Sequence, residues 1–115
     1  MIHEMRLTEK PFNNILKGEK KYELRLYDEK RSRINPGDYI VFHKTTNHDE
    51  TIKVKVIGLL RYASFEDLFK DLDYNLTGPS DSLESKINHI RDFYSEEEEK
   101  QYGVLAIRVK LVECW

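Results

Sequence analysis

Short segments in which apolar and polar residues alternate constrain this chain most, because a two-residue period fits β-strands and not helices. The alternation is strict over Lys20–Leu26, where apolar and charged residues take opposite faces. It recurs over Thr51–Tyr62, where Gly58 predicts a bulge. Three further strands are predicted over Ile2–Leu7, Tyr39–His43 and Val104–Val112. The pattern therefore predicts a sheet of about five strands.

Three or four short helices are predicted between these strands from capping residues and helical spacing of apolar side chains. In chain order, the first helix begins at Thr8 and ends at Gly18, and the second begins at Ser64. The third runs over Ser82–Tyr94, and the fourth begins at Ser95 and ends near Gly103. One apolar stripe is predicted to face the core in the third of them: Leu83, Ile87, Ile90 and Phe93. An aromatic set is likewise assigned to the core: Phe65, Phe69, Phe93 and Tyr94.

Two polar segments are predicted to be irregular, a loop over Thr45–Glu50 and a flexible connection over Asp73–Asp81. Strands and helices do not alternate in a βαβ rhythm. This order favours an α+β fold, a small closed or half-closed β-barrel of about five strands with three or four short helices laid against it. The 115 residues suffice for one core, so a single domain over residues 1–115 is expected.

Composition removes several functional classes. The chain has one cysteine, Cys114, which excludes a disulfide framework, and no apolar run near 18 residues, which argues against a membrane span. The N-terminus does not read as a signal peptide, so a cytoplasmic location is expected. The four histidines show no metal-ligand spacing, and no phosphate-binding glycine motif is present. We expect no metal and no cofactor.

The charges are unevenly distributed along the chain. Residues 1–45 carry ten Lys and Arg against seven Asp and Glu, whereas residues 64–100 carry four against eleven. An anionic ligand is therefore expected to prefer the first part of the chain. The alternative is that both parts present ordinary solvated faces.

The segment Gly18–Arg25 is the richest in chemistry. Lys20, Glu23 and Arg25 offer an ammonium, a carboxylate and a guanidinium at the start of one strand. A guanidinium binds phosphate or base acceptors in two places, and a carboxylate accepts protons from an exocyclic amine. The alternative interpretation is a solvated strand face with a weak salt bridge.

Other candidate ligand contacts lie outside this segment. Lys30 and Arg31 belong to a charge-dense loop that either reaches phosphates or is simply solvated. Tyr62 and Tyr27 end strands beside basic residues and are candidates for stacking on a base.

The run from Phe12 to Arg25, with its glycine, lysine, glutamate and arginine at positions 18, 20, 23 and 25, resembles the opening motif of the ASCH domain family, G-x-K-x-x-E-x-R. The resemblance continues through Ile34–Phe42, the Tyr62–Leu68 helix start and Tyr102–Ile107. It implies a PUA-like barrel whose cleft is lined by Lys20, Glu23 and Arg25. It also implies RNA or a nucleoside or nucleotide as the ligand.

One branch of that family hydrolyses the acetyl amide of N4-acetylcytidine with a lysine base, a threonine nucleophile and a glutamate acid. The resemblance assigns Lys20 to the base, but Glu23 occupies the place of the threonine, and Glu84 is only a loose match for the acid. An amidohydrolase in which Lys20 and Glu23 are catalytic, with Glu23 activating water, is therefore the alternative function. A third interpretation is a protein-interaction module with an apolar patch around Trp115.

Overall fold

A computed structural model describes residues 1–80 and 82–114 of the chain. The strands are β1 (Ile2–Leu7), β2 (Tyr22–Leu26), β3 (Tyr39–Lys44), β4 (Asn47–Tyr62) and β5 (Val104–Cys114). The α-helices are α1 (Glu9–Leu16), α2 (Phe65–Asp71), α3 (Leu83–Arg91) and α4 (Glu96–Tyr102). Two 3-10 turns lie at Arg31–Arg33 and Tyr74–Leu76.

The five strands form one sheet in the order β1-β3-β4-β5-β2. β1 runs parallel to β3, and the other neighbours are antiparallel. The edge strands β1 and β2 lie at opposite ends of this order. The sheet curls into a half-barrel, which leaves a seam between these two strands. The register of β4 on β5 shifts between Val56 and Gly58, which confirms the predicted bulge. The α+β half-barrel with short flanking helices is confirmed.

Two hydrophobic cores lie on the two faces of this sheet. The inner core fills the half-barrel, and α1 adds Phe12 and Ile15 to it. The outer core lies between the other face and the helices α2 and α3, where Phe65, Leu68 and Ile90 are buried. Because both faces of β5 are covered, its residues from Val104 to Ile107 are buried without interruption.

The turn before β3 is tied to β1 through one carboxylate. Asp38 contacts His3 Nε2 at 2.9 Å and the terminal amine of Met1 at 3.3 Å. The hydrogen bond with His3, followed by one from the backbone N–H of Asn35, lowers the pKa of Asp38 to about 2. The carboxylate therefore stays ionised and holds the first strand in register over most of the pH range.

Several local predictions differ from the structure. The predicted loop Thr45–Glu50 is wrong, because the chain turns within two residues and β4 already begins at Asn47. A polar strand that projects from the core has the composition of a loop, which explains the error. Thr8 occupies the N-cap of α1, but its side chain accepts no capping hydrogen bond. In contrast, the capping box of Ser95 and Glu98 is confirmed.

The region around α3 also differs from the prediction. The helix is shorter than predicted, and within its apolar stripe only Ile90 is buried, while Leu83 and Phe93 are exposed. The segment predicted as a flexible connection contains the 3-10 turn Tyr74–Leu76. Two positions in earlier predictions, Asp81 and Trp115, lie outside the described residues.

The glycine at the start of β5 generates a first prediction. Gly103 has φ +75° and ψ −177°, a conformation restricted to glycine, and a Cβ there would lie 3.2 Å from the carbonyl oxygen of Tyr62. Gly103→Ala is expected to lower the free energy of unfolding by about 2–3 kcal/mol, measured by urea titration.

Gly37→Ala is the matched control. Gly37 also has a positive φ, +93°, but nothing lies within 4 Å of its Cβ position. Gly37→Ala is expected to lower the free energy of unfolding by only about 1–2 kcal/mol, from backbone strain alone. Equal losses in the two variants would contradict a contribution from the contact with Tyr62.

Candidate functional site: a charged cleft at the seam of the half-barrel

An open cleft of about 490 Å³ lies at the seam between β1 and β2. Its walls come from the end of β1, from α1, from α3 and from the loop of residues 77–80, and β2 forms its floor. This volume is in the usual range for sites that bind small molecules. The cleft therefore exists because the sheet leaves its two edge strands unpaired with each other.

Lys20 is held at the floor of this cleft by the end of α1. Gly18, at φ +76°, reverses the chain direction, and the backbone N–H of Lys20 then donates to Asn14. Lys20 forms an isolated β-bridge with Thr77, and its Nζ donates to the Thr77 carbonyl at 2.8 Å. The ammonium also lies 3.3 Å from Glu23 Oε1. Only 8% of Lys20 is exposed.

Glu23 and Arg25 complete a charged triad with Lys20, in which Lys20 and Glu23 are buried and Arg25 is partly buried. Glu23 Oε2 accepts from Arg25 Nε at 3.0 Å and lies 2.8 Å from Arg25 Nη2. Glu23 is opposite Ile107 of β5, so this charged face of β2 turns toward the inside of the half-barrel. Because only 4% of Glu23 is exposed, the interpretation of this face as simply solvated is wrong for Glu23.

Arg25 also spans the seam. Its Nη2 donates to the carbonyl oxygen of Arg6, in β1, at 2.9 Å. This is a side-chain hydrogen bond between two strands that make no backbone ladder. Arg25 therefore takes part both in the triad and in closing the half-barrel.

Two members of the triad, Glu23 and Arg25, are held in their charged forms. Burial by itself would raise the pKa of Glu23, but the charges of Lys20 and Arg25 outweigh it, and the pKa lies below its ordinary value. Burial likewise opposes the charge on Arg25, and the Glu23 carboxylate more than offsets it, so the pKa of Arg25 is raised. The floor of the cleft thus presents fixed ionic groups.

Cations dominate the cleft, in a chain whose net charge is −2. Five lining residues are basic: Arg6, Lys10, Lys20, Arg25 and Lys86. Glu23 is the single acidic lining residue in the part of the chain that the structure describes. Such an excess in a concave site focuses a positive potential that favours anionic ligands.

One wall of the cleft is aromatic. Phe93 and Tyr94, which the sequence assigned to the core, both line the cleft, and Phe93 is 58% exposed. The Phe93 ring lies edge-on to His89, with centroids 5.2 Å apart. Tyr94 stacks on buried Phe65 at 5.8 Å. The core assignment is therefore wrong for Phe93, whereas Phe65 and Phe69 are buried as expected.

Comparison with known proteins identifies the family. The family described as ASCH domain matches residues 5–113. The chain belongs to the ASCH domain family. The resemblance in the opening motif is thereby confirmed, and so is the PUA-like α+β fold that it implied.

Solved structures agree with this assignment. The crystal structure of hypothetical protein PH0355 is 41% identical, with a TM-score of 0.88 over 97% of this chain and 100% of that one. The solution structure of protein PF0455 from Pyrococcus furiosus is 42% identical, with a TM-score of 0.77 over 98% and 99% of the two chains.

An ASCH domain from Lactobacillus crispatus is 17% identical, with a TM-score of 0.65 over 96% of this chain and 79% of that one. At this identity the likeness shows the fold alone. No curated protein matches the chain.

The remaining predicted site residues lie outside the cleft of this ASCH domain. Lys30 borders a separate shallow depression, and Arg31 pairs with Asp28 at 2.8 Å. The Tyr62 hydroxyl donates to Asp71. The Tyr27 ring lies under the guanidinium of Arg61, and Glu84 is exposed away from the cleft. Contacts of Lys30, Arg31 and Tyr62 with a ligand stay predictions from the sequence.

Within residues 1–80 and 82–114, no three His, Cys, Asp or Glu side chains converge as a metal site. No helix in that part of the chain is both long enough and apolar enough to cross a bilayer.

The sequence patterns did not indicate that Lys10, Thr77 and Lys86 line the cleft. Lys86 belongs to the acidic part of the chain, and no motif connects it to Lys20, yet both line the same cleft. Thr77 was assigned to a flexible connection, although it is buried and bridges to Lys20. The one available signal for Lys86 was its place on an amphipathic helix, on the side away from the acidic residues.

The triad generates a second prediction. Glu23→Ala is expected to lower the free energy of unfolding by about 3–5 kcal/mol at pH 7, because Lys20 would remain buried, and Arg25 partly buried, without a counter-charge. The pKa of Glu23 is lowered by folding, so its contribution is present above the ordinary value of 4.5 and disappears as the pH falls.

Urea unfolding at pH 7 and at pH 3 measures both effects. The difference between wild type and variant should shrink at pH 3. Glu19→Ala is the matched control, since Glu19 is exposed and should change stability little. A loss that is the same at both pH values would contradict an ionic role for Glu23.

Proposed function

We propose that this ASCH domain binds RNA or a nucleoside or nucleotide in the cleft that contains Lys20, Glu23 and Arg25. The observation that carries the proposal is that this charged triad, in which Lys20 and Glu23 are buried and Arg25 is partly buried, lies at the base of an open cleft. A buried ion triad is a poor source of stability, since desolvation offsets most of the attraction. Its position under an accessible cavity therefore favours a role in recognition.

The triad suits the edge of a nucleobase. Glu23 Oε1 has one cationic contact, from Lys20, and retains a lone pair that can accept from an exocyclic amine, whereas Oε2 is contacted by both Nε and Nη2 of Arg25. Lys20 and Arg25 hold that carboxylate in place before any ligand arrives, which lowers the ordering cost of binding. In this arrangement Arg25 and Lys20 serve base acceptors or phosphate, and Glu23 serves a base donor.

The aromatic wall suits the face of a nucleobase. Phe93 offers an exposed ring beside the charged floor, and Tyr94 adds a second aromatic surface backed by Phe65. Stacking on such rings is sequence-tolerant and contributes about 1–3 kcal/mol per base. The combination of a polar floor, an aromatic wall and an excess of cations supports a nucleic-acid ligand over a purely apolar one.

Amide hydrolysis of N4-acetylcytidine is the second candidate, and one observation favours it. Thr77, a buried residue that lines the cleft and whose backbone carbonyl accepts from Lys20 Nζ, supplies a threonine from a part of the chain that the motif does not include. Against it, the Thr77 hydroxyl donates to the Tyr74 carbonyl at 2.6 Å. The lowered pKa of Glu23 also makes its carboxylate a weak base for activating water. Binding is therefore the better supported function.

An amide NMR titration with N4-acetylcytidine and then with short RNA at low salt tests binding. We expect shifts at Lys20, Glu23, Arg25 and Phe93. Phe93→Ala should weaken binding by about 1–3 kcal/mol without loss of stability, because the ring is exposed. Tyr102→Ala removes an exposed aromatic ring outside the cleft and should leave affinity unchanged.

The same samples separate binding from hydrolysis through the methyl signal of free acetate. Shifts without acetate support a reader of nucleosides or RNA. Acetate that forms in wild type and disappears in Thr77→Val would instead favour the hydrolase. If neither N4-acetylcytidine nor RNA shifts the cleft residues, the proposed function is wrong.

A further inference from the structure

Three polar side chains that the triad does not use converge at the end of the cleft near Gly78. Lys86 on α3 donates from Nζ to the Gly78 carbonyl. A Cβ placed at Gly78 would lie 3.6 Å from both Lys86 Nζ and Asn14 Nδ2. Lys10, one turn before Asn14 on α1, lines the same end and acts electrostatically on Lys86. Two helices thus direct donors into one corner of the cavity.

The positive charge of this corner is not balanced by the triad. Glu23 already binds Lys20 through one oxygen and Arg25 through the other. Among residues 1–80 and 82–114, no carboxylate oxygen lies within 4 Å of Lys86 Nζ or Lys10 Nζ. Burial, followed by the charges of Lys20 and Lys10, lowers the pKa of Lys86 to about 8. The three lysines repel one another in the absence of an anion.

We propose that Lys86, Lys10 and Asn14 form a subsite for a phosphate group of the ligand, beside the base site of Lys20, Glu23 and Arg25. The inference rests on the proposed function, since it names the part of a nucleotide that this end of the cleft takes. A phosphate placed among the lysines converts their mutual repulsion into attraction, and the Asn14 amide donates to one of its oxygens. The phosphate belongs either to a terminal monoester or to the diester of an RNA backbone.

Calorimetric titration at low salt compares four ligands: cytidine, cytidine 5′-monophosphate, a cytidine dinucleotide without terminal phosphate, and inorganic phosphate. We expect the monophosphate to bind at least about tenfold more tightly than cytidine, as one charge-assisted contact provides. A preference for the monophosphate over the dinucleotide identifies a terminal phosphate, and the reverse preference identifies an RNA backbone.

Substitutions test which residues bind the phosphate group. Lys86→Met keeps the aliphatic stem and should remove most of the advantage of the monophosphate while leaving cytidine binding unchanged. Lys10→Met, at an exposed position, should remove a smaller part without affecting folding. Lys17→Met, at the C-cap of the same helix, is the matched control, because Lys17 is exposed and lies outside the cleft.

The pH dependence of phosphate binding distinguishes a direct contact with Lys86 from a purely structural role of that residue. Among the described residues, Lys10 from α1 and Lys20 ahead of β2 act electrostatically on Lys86, the Gly78 carbonyl accepts from it, and His89 on α3 lines the same cleft. The second ionisation of a phosphate monoester has a pKa near 6 and is about nine-tenths complete at pH 7, so a fall in the affinity for cytidine 5′-monophosphate between pH 7 and 9 reports the loss of the Lys86 proton. Lys86→Arg should restore binding and flatten that fall.

The outcomes separate this inference from the proposed function. Equal binding of cytidine and its monophosphate would overturn the phosphate subsite and leave base recognition standing. Binding of inorganic phosphate that depends on Lys86, with no binding of cytidine or RNA, would support the subsite and overturn the proposed nucleic-acid function. Phosphate affinity that is unchanged in Lys86→Met, or flat from pH 7 to 9, would overturn the subsite.

Discussion

The paired charges of Lys20, Glu23 and Arg25 determine how this half-barrel ends. The sheet order leaves β1 and β2 as edges that face each other, and unpaired edges are normally a liability. Here Arg25 bridges them by donating to Arg6, and Glu23 fixes the guanidinium that does so. Removing the water around three charges costs energy that their attraction only partly returns. The half-barrel is therefore closed by an ionic cluster where a sixth strand or apolar packing would have been more stabilising.

This way of closing the sheet explains why the cleft lies where it does. Apolar residues fill the inside of the half-barrel up to Ile107, and the charged residues of β2 begin directly across from it. The helices α1 and α3 stand on either side of the seam, and the residues after the Tyr74–Leu76 turn reach the floor through the bridge between Lys20 and Thr77. Fold and site share the same residues, because the polar groups that the core excludes are gathered at the opening along the seam.

The sequence predicted the strands and helices better than it predicted the burial and contacts of their side chains. Alternation along Lys20–Leu26 identified a strand with two chemically different faces, and the family motif identified the three residues that meet in the cleft. Alternation alone does not tell which face turns inward, so the burial of Glu23 was not foreseen. Lys86 was missed for a related reason, since its approach to Lys20 depends on how α3 packs across the sheet. Phe93 was misassigned because helical spacing continues past the last buried turn of α3.

The position of Arg25 has a consequence for selectivity. The Nε and Nη2 edge of its guanidinium is already occupied by a carboxylate and by a backbone carbonyl, so a molecule that approached this edge would compete with an existing partner. Neutral acceptors such as water or an ordinary carbonyl offer no gain over the oxygen of Arg6 that they would displace. An acceptor with a full negative charge does, because charge-assisted hydrogen bonds are about twice as strong as neutral ones. The hydrogen bond from Arg25 to Arg6 would thus favour charged acceptors over neutral ones at this edge.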